Sequence, residues 1–338
     1  MTTASQNKSQ DGSTVTVLLA LAANLGIAIL KALAGLLTGS AALLSEAAHS
    51  VGDTVTELLL LTALRRSRRP ADRRHPFGYG KERFFWSLLA AIGILASGAA
   101  FSFYEGYRTL RGHGGEEGRA WVGYAVLGLS AVLEGISFSQ GVRQLRAESA
   151  RMGETWRAYL RNPRDPTVKS VVLEDSAALI GIVLAFAGLA LHQATGSAVY
   201  DGTAALAIAA LLVVVAYQLA QTSKGLLIGQ QANVRLVRAI RIRLAEQPEV
   251  EKVVDILTMI VGSDNILLCA RLDFQDSLSA AELERACVRI DASLRQEFTD
   301  LDEVFLEPVP RNDPELRARV LARYGDILER DVQRPAPG

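Results

Sequence analysis

AALLSEAAHSVGDTVTELLLLTAL, residues 41–64, decides how the chain is read. As a helix it is long enough to cross a hydrocarbon layer, which takes about 20 mostly apolar residues for about 30 Å. Yet it carries His49 and Asp53 far from either end. Ionised groups at that depth cost several kcal/mol unless they are paired, hydrated or metal-bound, so each is a functional candidate. Five more segments have similar length and apolarity: 14–37, 84–107, 120–141, 168–191 and 199–221. Turn signals separate them: Thr38-Gly39-Ser40, the run RRSRRPADRRHPFGYGKER, the glycines from Gly112 to Gly118, RNPRDP, and Ala194 to Ser197. The expected architecture of 14–221 is therefore an all-α six-helix transmembrane bundle.

The rest of the composition agrees with a bilayer partner. Of 338 residues 49% are hydrophobic and 21% charged, and the mean hydropathy is +0.19. Lys plus Arg and Asp plus Glu balance at 36 each, which gives no electrostatic footprint for nucleic acid. Two cysteines, Cys269 and Cys287, exclude a disulfide scaffold and a multi-cysteine zinc module. Residues 1–13 are polar, without the basic region and cleavage site of a signal peptide, and are expected to be retained as a flexible segment.

Basic residues in short loops stay on the cytoplasmic side. Eight of them lie in 65–83 and seven in 141–169, against none in 38–40, three in 108–119 and none in 192–198. Both termini are then cytoplasmic in a multi-pass protein of the cell membrane. From residue 222 the pattern is that of a small soluble domain reaching about residue 312. Helices are expected over 232–246 and 279–298, the latter with Leu283, Ala286, Ile290 and Leu294 on one face, and strands over 250–258, 266–274 and 303–307. Such an αββαβ order packs two helices on one face of a three-stranded sheet. Residues 313–338 are expected to hold one more helix and a disordered end, RPAPG.

The spacing from His49 to Asp53 is i,i+4, which puts imidazole and carboxylate on one helical face, within reach of one divalent cation. Counted inward from Ala41 at ~1.5 Å per residue, Asp53 lies roughly 18 Å deep and roughly 12 Å from the cytoplasmic edge. Asp175, counted from the opposite end of its helix, lies roughly 12 Å from that same edge. The two carboxylates reach one level. Tetrahedral zinc takes four ligands; Val171, one turn before Asp175, cannot be one. Glu174, which points about 100° away from Asp175 around the helix, is included in the candidate set, and Asn24, Glu134 or a water are the other choices for the fourth place. Lys31 either pairs with an intramembrane acid such as Glu57 or Glu134 or extends outward along the helix. Small residues over 93–100 permit close helix packing.

Four stretches resemble the cation diffusion facilitator family: TGSAALLSEAAHSVGDT at 38–54, HPFGYGKERFFW at 75–86, LEDSAALIG at 173–181 and VFLEPVP at 304–310. The resemblance implies a homodimer whose six-helix units exchange a divalent metal, usually Zn²⁺, for protons. It also implies a cytosolic domain of metallochaperone-like form that pairs with its twin, and no enzymatic step. His49, Asp53 and Asp175 fall on the family's transport-site positions. Val171 stands where the family usually has His or Asp. That departure, with the adjacent Glu174 and Asp175, is similar to the divergent branch containing the mitochondrial-type mammalian zinc transporter. One nitrogen ligand among oxygens suits Mn²⁺ or Fe²⁺ as well as Zn²⁺, and a non-transporting scaffold or sensor is the rival class. A second site of some bacterial members falls on Asp72, His75 and Tyr79, where the tyrosine breaks the pattern; His75 is expected to cap the third helix or touch the cytosolic domain. The cytosolic zinc positions of other members read Arg271 and Phe305, so that domain is expected to bind no metal tightly.

Overall fold

The computed structural model describes residues 24–113, 119–151, 153, 155–161, 166–263 and 265–324. The readings of 1–13 and of the RPAPG end, and the first part of the span 14–37, lie outside them. The described chain divides into two compact units. One runs to Leu227; the other starts at Ile228 and includes Asp72–Phe77.

The first unit is helical. Helices α1 (Asn24–Thr38) and α2 (Ala41–Ser67) form a hairpin, because Gly39 takes a φ of 70° that a side chain would oppose. Ser40 then caps α2 by accepting from the Leu43 N–H at 3.2 Å. Next come α3 (Glu82–Gly112) and α4 (Ala120–Arg151), a short α5 (Trp156–Arg161), α6 (Pro166–Thr195) and α7 (Val199–Ile228). Among the described residues four helical stretches are long and apolar enough to cross a membrane: α3, α4, Lys169–Thr195 of α6, and α7. The described part of α1 is shorter, and α2, at 27 residues, is interrupted by its charged groups. Leu43, Ile94, Leu127, Ile182, Leu189, Ile208 and Leu212 fill the bundle interior. The outside is apolar as well: Leu36, Trp121, Val183, Phe186, Val214 and Tyr217 are all exposed. A surface of that kind belongs in hydrocarbon rather than water.

Two features depart from the sequence expectation. The span ending near 141 continues as helix to Arg151, and part of the basic loop folds as α5, whose Tyr159 is buried against Leu145 and Val172. Basic residues mark where a span leaves the membrane, not where its helix stops. Within α3, residues Ile94–Ala99 widen into a π-helical segment, the sort of local insertion that accumulates at functional positions.

The second unit has the anticipated order: α8 (Val234–Ala245), β1 (Val250–Ile260), β2 (Ile266–Phe274), α9 (Ala280–Glu297), β3 (Leu301–Pro308) and α10 (Pro314–Tyr324). The sheet runs β1-β2-β3, with β1 antiparallel and β3 parallel to β2. Along β2 every second residue from Ile266 to Phe274 is buried. Those residues pack with Ile240 and Leu244 of α8 and Ile290 and Leu294 of α9. Ser279 and Glu282 form a reciprocal capping box at α9, and Asp313 accepts from the Leu316 N–H at 2.7 Å to start α10. Arg271 stands between Glu307 (2.7 Å) and the buried Asp255 (3.3 Å), which Arg323 of α10 also reaches at 3.0 Å. Glu307 beside it holds the Arg271 guanidinium above its ordinary pKa. The resemblance would put a metal ligand at position 271; the guanidinium bridges two carboxylates there instead.

Candidate metal site

Antiparallel pairing of α1 with α2 about Gly39 sets which polar groups meet. Asn24 Nδ2 donates to Glu57 Oε1 at 2.6 Å. Lys31 Nζ donates to Ser50 Oγ at 2.8 Å and to Glu46 Oε2 at 3.1 Å. The lysine thus pairs with Glu46 and remains fully buried, so it does not extend outward; Glu134 Oε1 is its next acid, at 4.0 Å. The start of α2 is fixed from α7: the buried Asp201 accepts from Ser40 Oγ at 2.6 Å and from the Ala41 N–H at 2.5 Å.

This scaffold holds α2 beside α4 and α6, and a cavity of about 90 Å³ opens between them. Asp53 and Glu57 of α2, Glu134 of α4, and Glu174 and Asp175 of α6 line it, together with Asn24, Ser50, Ser137 and Val171. Asp53 and Asp175, equal in depth by residue count, face one space. Glu174 shares it despite its different helical angle. Each α6 carboxylate is already engaged by a hydroxyl: Glu174 accepts from Ser170 Oγ at 2.6 Å and Asp175 from Ser137 Oγ at 2.8 Å. Val171 lies on the wall, where α6 approaches α4 so closely that a methyl group on Gly141 would touch it at 3.4 Å.

His49 sits behind Asp53 rather than on the cavity wall. It is 2% exposed, and its Nδ1 stands 3.5 Å from Asp53 Oδ1. Among the described residues, His49 Nε2, Asp53 Oδ1 and Glu57 Oε2 are buried without a hydrogen-bond partner. Unsatisfied buried polar atoms are rare enough that each calls for an explanation such as an ion. The π-helical segment of α3 backs this region: Gly98 lies close to the His49 Cα, and a methyl group there would meet Leu212 at 2.9 Å. As arranged here, among the described residues no three His, Cys, Asp or Glu side chains stand close enough together to hold a metal ion.

In the loop before α3, Asp72 and His75 stand together. Asp72 Oδ1 accepts from the N–H groups of Arg74 and His75, and the His75 ring stands 3.4 Å from the same oxygen. The first N–H groups of α3 bond to the carbonyls of Tyr79, Gly80 and Lys81, so His75 does not cap that helix.

Residues 17–228 match the cation efflux transmembrane domain family, which covers more than half of the chain. The chain belongs to this cation diffusion facilitator family. Among its relatives, the proton-coupled zinc antiporter SLC30A9, mitochondrial, of Homo sapiens is 31% identical over 298 residues, covering 88% of this chain and 50% of that protein. Metal tolerance protein C4 of Arabidopsis thaliana is 28% identical over 312 residues, 89% of this chain and 66% of that protein. The magnetosome protein MamB of Magnetospira sp. (strain QH-2) is 37% identical over 105 residues, 31% and 34% of the two chains. The chain spans about half the length of the human relative. Membership of this family is consistent with a cation transporter rather than an enzyme.

Several residues of the site escape a reading by helical depth alone. Ser170 and Ser137 do so because a serine in a span has no cost that marks it; the i,i+4 spacing of Ser170 to Glu174 is the available signal. Lys31 with Glu46 was legible from the hairpin, since the two lie nearly equidistant from Gly39 on antiparallel helices.

Proposed function

We propose that this protein is a secondary transporter that exchanges a divalent metal cation, zinc first, for protons across the cell membrane. The observation that carries this reading is the cavity that Asp53, Glu174 and Asp175 line together, with His49 against Asp53. His49, Asp53, Asp175 and Glu174 are the ligands. Binding requires the side chains to converge: the α6 carboxylates leave the hydroxyls of Ser170 and Ser137, and Asp53 with His49 turns toward them. Metal and protons then compete for the same lone pairs, so loading of one favours release of the other. Movement of the bundle around a site near midplane alternates its access. The family match, and the character of the human relative as a proton-coupled zinc antiporter, support the choice of ion and of coupling.

In this reading α1, α2 and the four longer apolar helices make six crossings, both termini lie in the cytoplasm, and the αββαβ unit is a cytosolic domain through which two copies pair. A second metal class has a specific observation behind it. The cavity wall offers oxygen donors, with the imidazole of His49 set behind Asp53, which suits Mn²⁺ or Fe²⁺.

The test is metal-driven proton flux in reconstituted vesicles, run with Zn²⁺, Mn²⁺ and Fe²⁺. Wild type should move protons against metal. Asp53→Asn and Asp175→Asn should each abolish the flux while protein still inserts, since each removes a charged ligand at nearly constant volume. Wild-type rates in both variants refute the site; absence of flux for all three metals refutes transport and favours a scaffold.

A further inference from the structure

Behind the cavity wall, one position has the surroundings of a bound cation and already contains one. Lys31 Nζ sits among three side-chain oxygens from two helices: Ser50 Oγ at 2.8 Å and Glu46 Oε2 at 3.1 Å on α2, and Glu134 Oε1 at 4.0 Å on α4. Lys31 and Glu46 are fully buried, and Glu134 is partly buried. The remaining oxygen of Glu46 has no hydrogen-bond partner among the described residues. It points at α6, where Gly181 leaves it room: a methyl group there would lie 2.0 Å from Glu46 Oε1. Three helices thus shape a pocket for the Glu46 carboxylate, and the positive charge that satisfies it arrives on a side chain of α1.

We infer that Glu46, Ser50 and Glu134 form a second cation site beside the transport cavity, held permanently by the Lys31 ammonium. The donors are all oxygen, a set that suits hard divalent ions such as Mn²⁺, Mg²⁺ and Ca²⁺. Ser50 and Glu134 also line the cavity, so an ion entering it would meet this second site unless the lysine filled it. The tethered ammonium has two consequences. It compensates Glu46, whose charge would otherwise be buried unpaired. It also withdraws Glu134 from the ligands open to substrate, leaving the cavity one metal instead of two. This last consequence rests on the transport reading; the occupancy of the lysine site does not.

The experiment counts Mn²⁺ bound per protomer at equilibrium in chelator-washed, full-length protein in lipid nanodiscs. Lys31→Met should bind one Mn²⁺ more than wild type. The gain should vanish in Lys31→Met with Glu46→Gln and persist in Lys31→Met with Asp53→Asn. Lys31→Arg should bind as wild type does. A count in Lys31→Met equal to wild type, or an extra ion that survives Glu46→Gln, overturns the inference. Loss of folding in Lys31→Met supports it if added Mn²⁺ restores the protein; loss that Mn²⁺ does not relieve, whether or not Glu46→Gln does, leaves a plain ion pair and overturns it. An Asp53→Asn protein that binds as many ions as wild type removes the transport-site assignment and leaves the Lys31 comparison intact.

Discussion

Asp201 sets where α2 begins, and replacing it tests whether the helix that carries His49 and Asp53 is positioned from α7. Its carboxylate is 1% exposed and accepts from Ser40 Oγ at 2.6 Å, from the Ala41 N–H at 2.5 Å and from the Ala42 N–H at 3.4 Å. Two of these are short enough to count as full bonds to a charged acceptor, each contributing about 1.5–3 kcal/mol. Asp201→Asn keeps one acceptor oxygen and turns an amide N–H toward a donor, so at least one bond is lost and the helix-end charge interaction with it. The expected destabilisation is about 2–4 kcal/mol. In full-length protein this should lower Tm by roughly 5–15 °C, taking about 2–4 °C per kcal/mol for a unit of this size. Ser40→Ala removes one of the same bonds and also the cap on Leu43. The cycle of Ser40→Ala, Asp201→Asn and the double variant should therefore show a coupling of at least about 1 kcal/mol. Additive effects, or an Asp201→Asn protein that melts within 2 °C of wild type (roughly the effect of 1 kcal/mol), would show that the contact does not hold α2.

Other consequences follow from close packing and from the second unit. Gly98→Leu forces a side chain into the space of Leu212 beside His49 and should cost about 1–3 kcal/mol by overpacking, with metal flux lost while protein remains in the membrane. Arg271→Met strips the buried Asp255 of one of its two guanidinium partners and should lower stability by about 1.5–3 kcal/mol in denaturant titrations; an unchanged midpoint would mean that Arg323 suffices. Ser279 holds the Glu282 carboxyl below its ordinary pKa. A depressed carboxylate stabilises above its unfolded pKa and loses that contribution as pH falls through the folded one. Ser279→Ala should therefore lower Tm more at pH 7 than at pH 3 (roughly one unit below the unfolded Glu pKa), and an equal loss at both would remove the capping account. The proposed pairing of two copies through their αββαβ units without bridging metal predicts a dimer mass in light scattering that a strong chelator leaves unchanged; a monomer mass before or after chelation contradicts it.

What the sequence made legible was local. Apolar length gave the long helices, and the short apolar, β-branched runs at 250–258 and 266–274 gave β1 and β2. The i,i+4 spacing put His49 next to Asp53, which stand 3.5 Å apart in the structure. Depth counting brought Asp53 and Asp175 to one level, and both face the same cavity. What it hid were pairings across the bundle whose members look ordinary alone. Asp201 drew no reading from the sequence, since nothing near it tells that it caps a helix 160 residues earlier. The widening at Ile94–Ala99 left only a run of small residues as its trace. The serines are the most instructive omission. In the present arrangement Ser170 and Ser137 each donate to a carboxylate that the transport reading assigns to metal. Each hydroxyl therefore stabilises the metal-free arrangement, and a cation must replace that bond before it can hold the acid. Removing both donors, with Ser170→Ala and Ser137→Ala, should then tighten metal binding at equilibrium rather than weaken it. Weaker binding would mean that the hydroxyls orient the carboxylates toward the ion, a role opposite to the one their present geometry gives them.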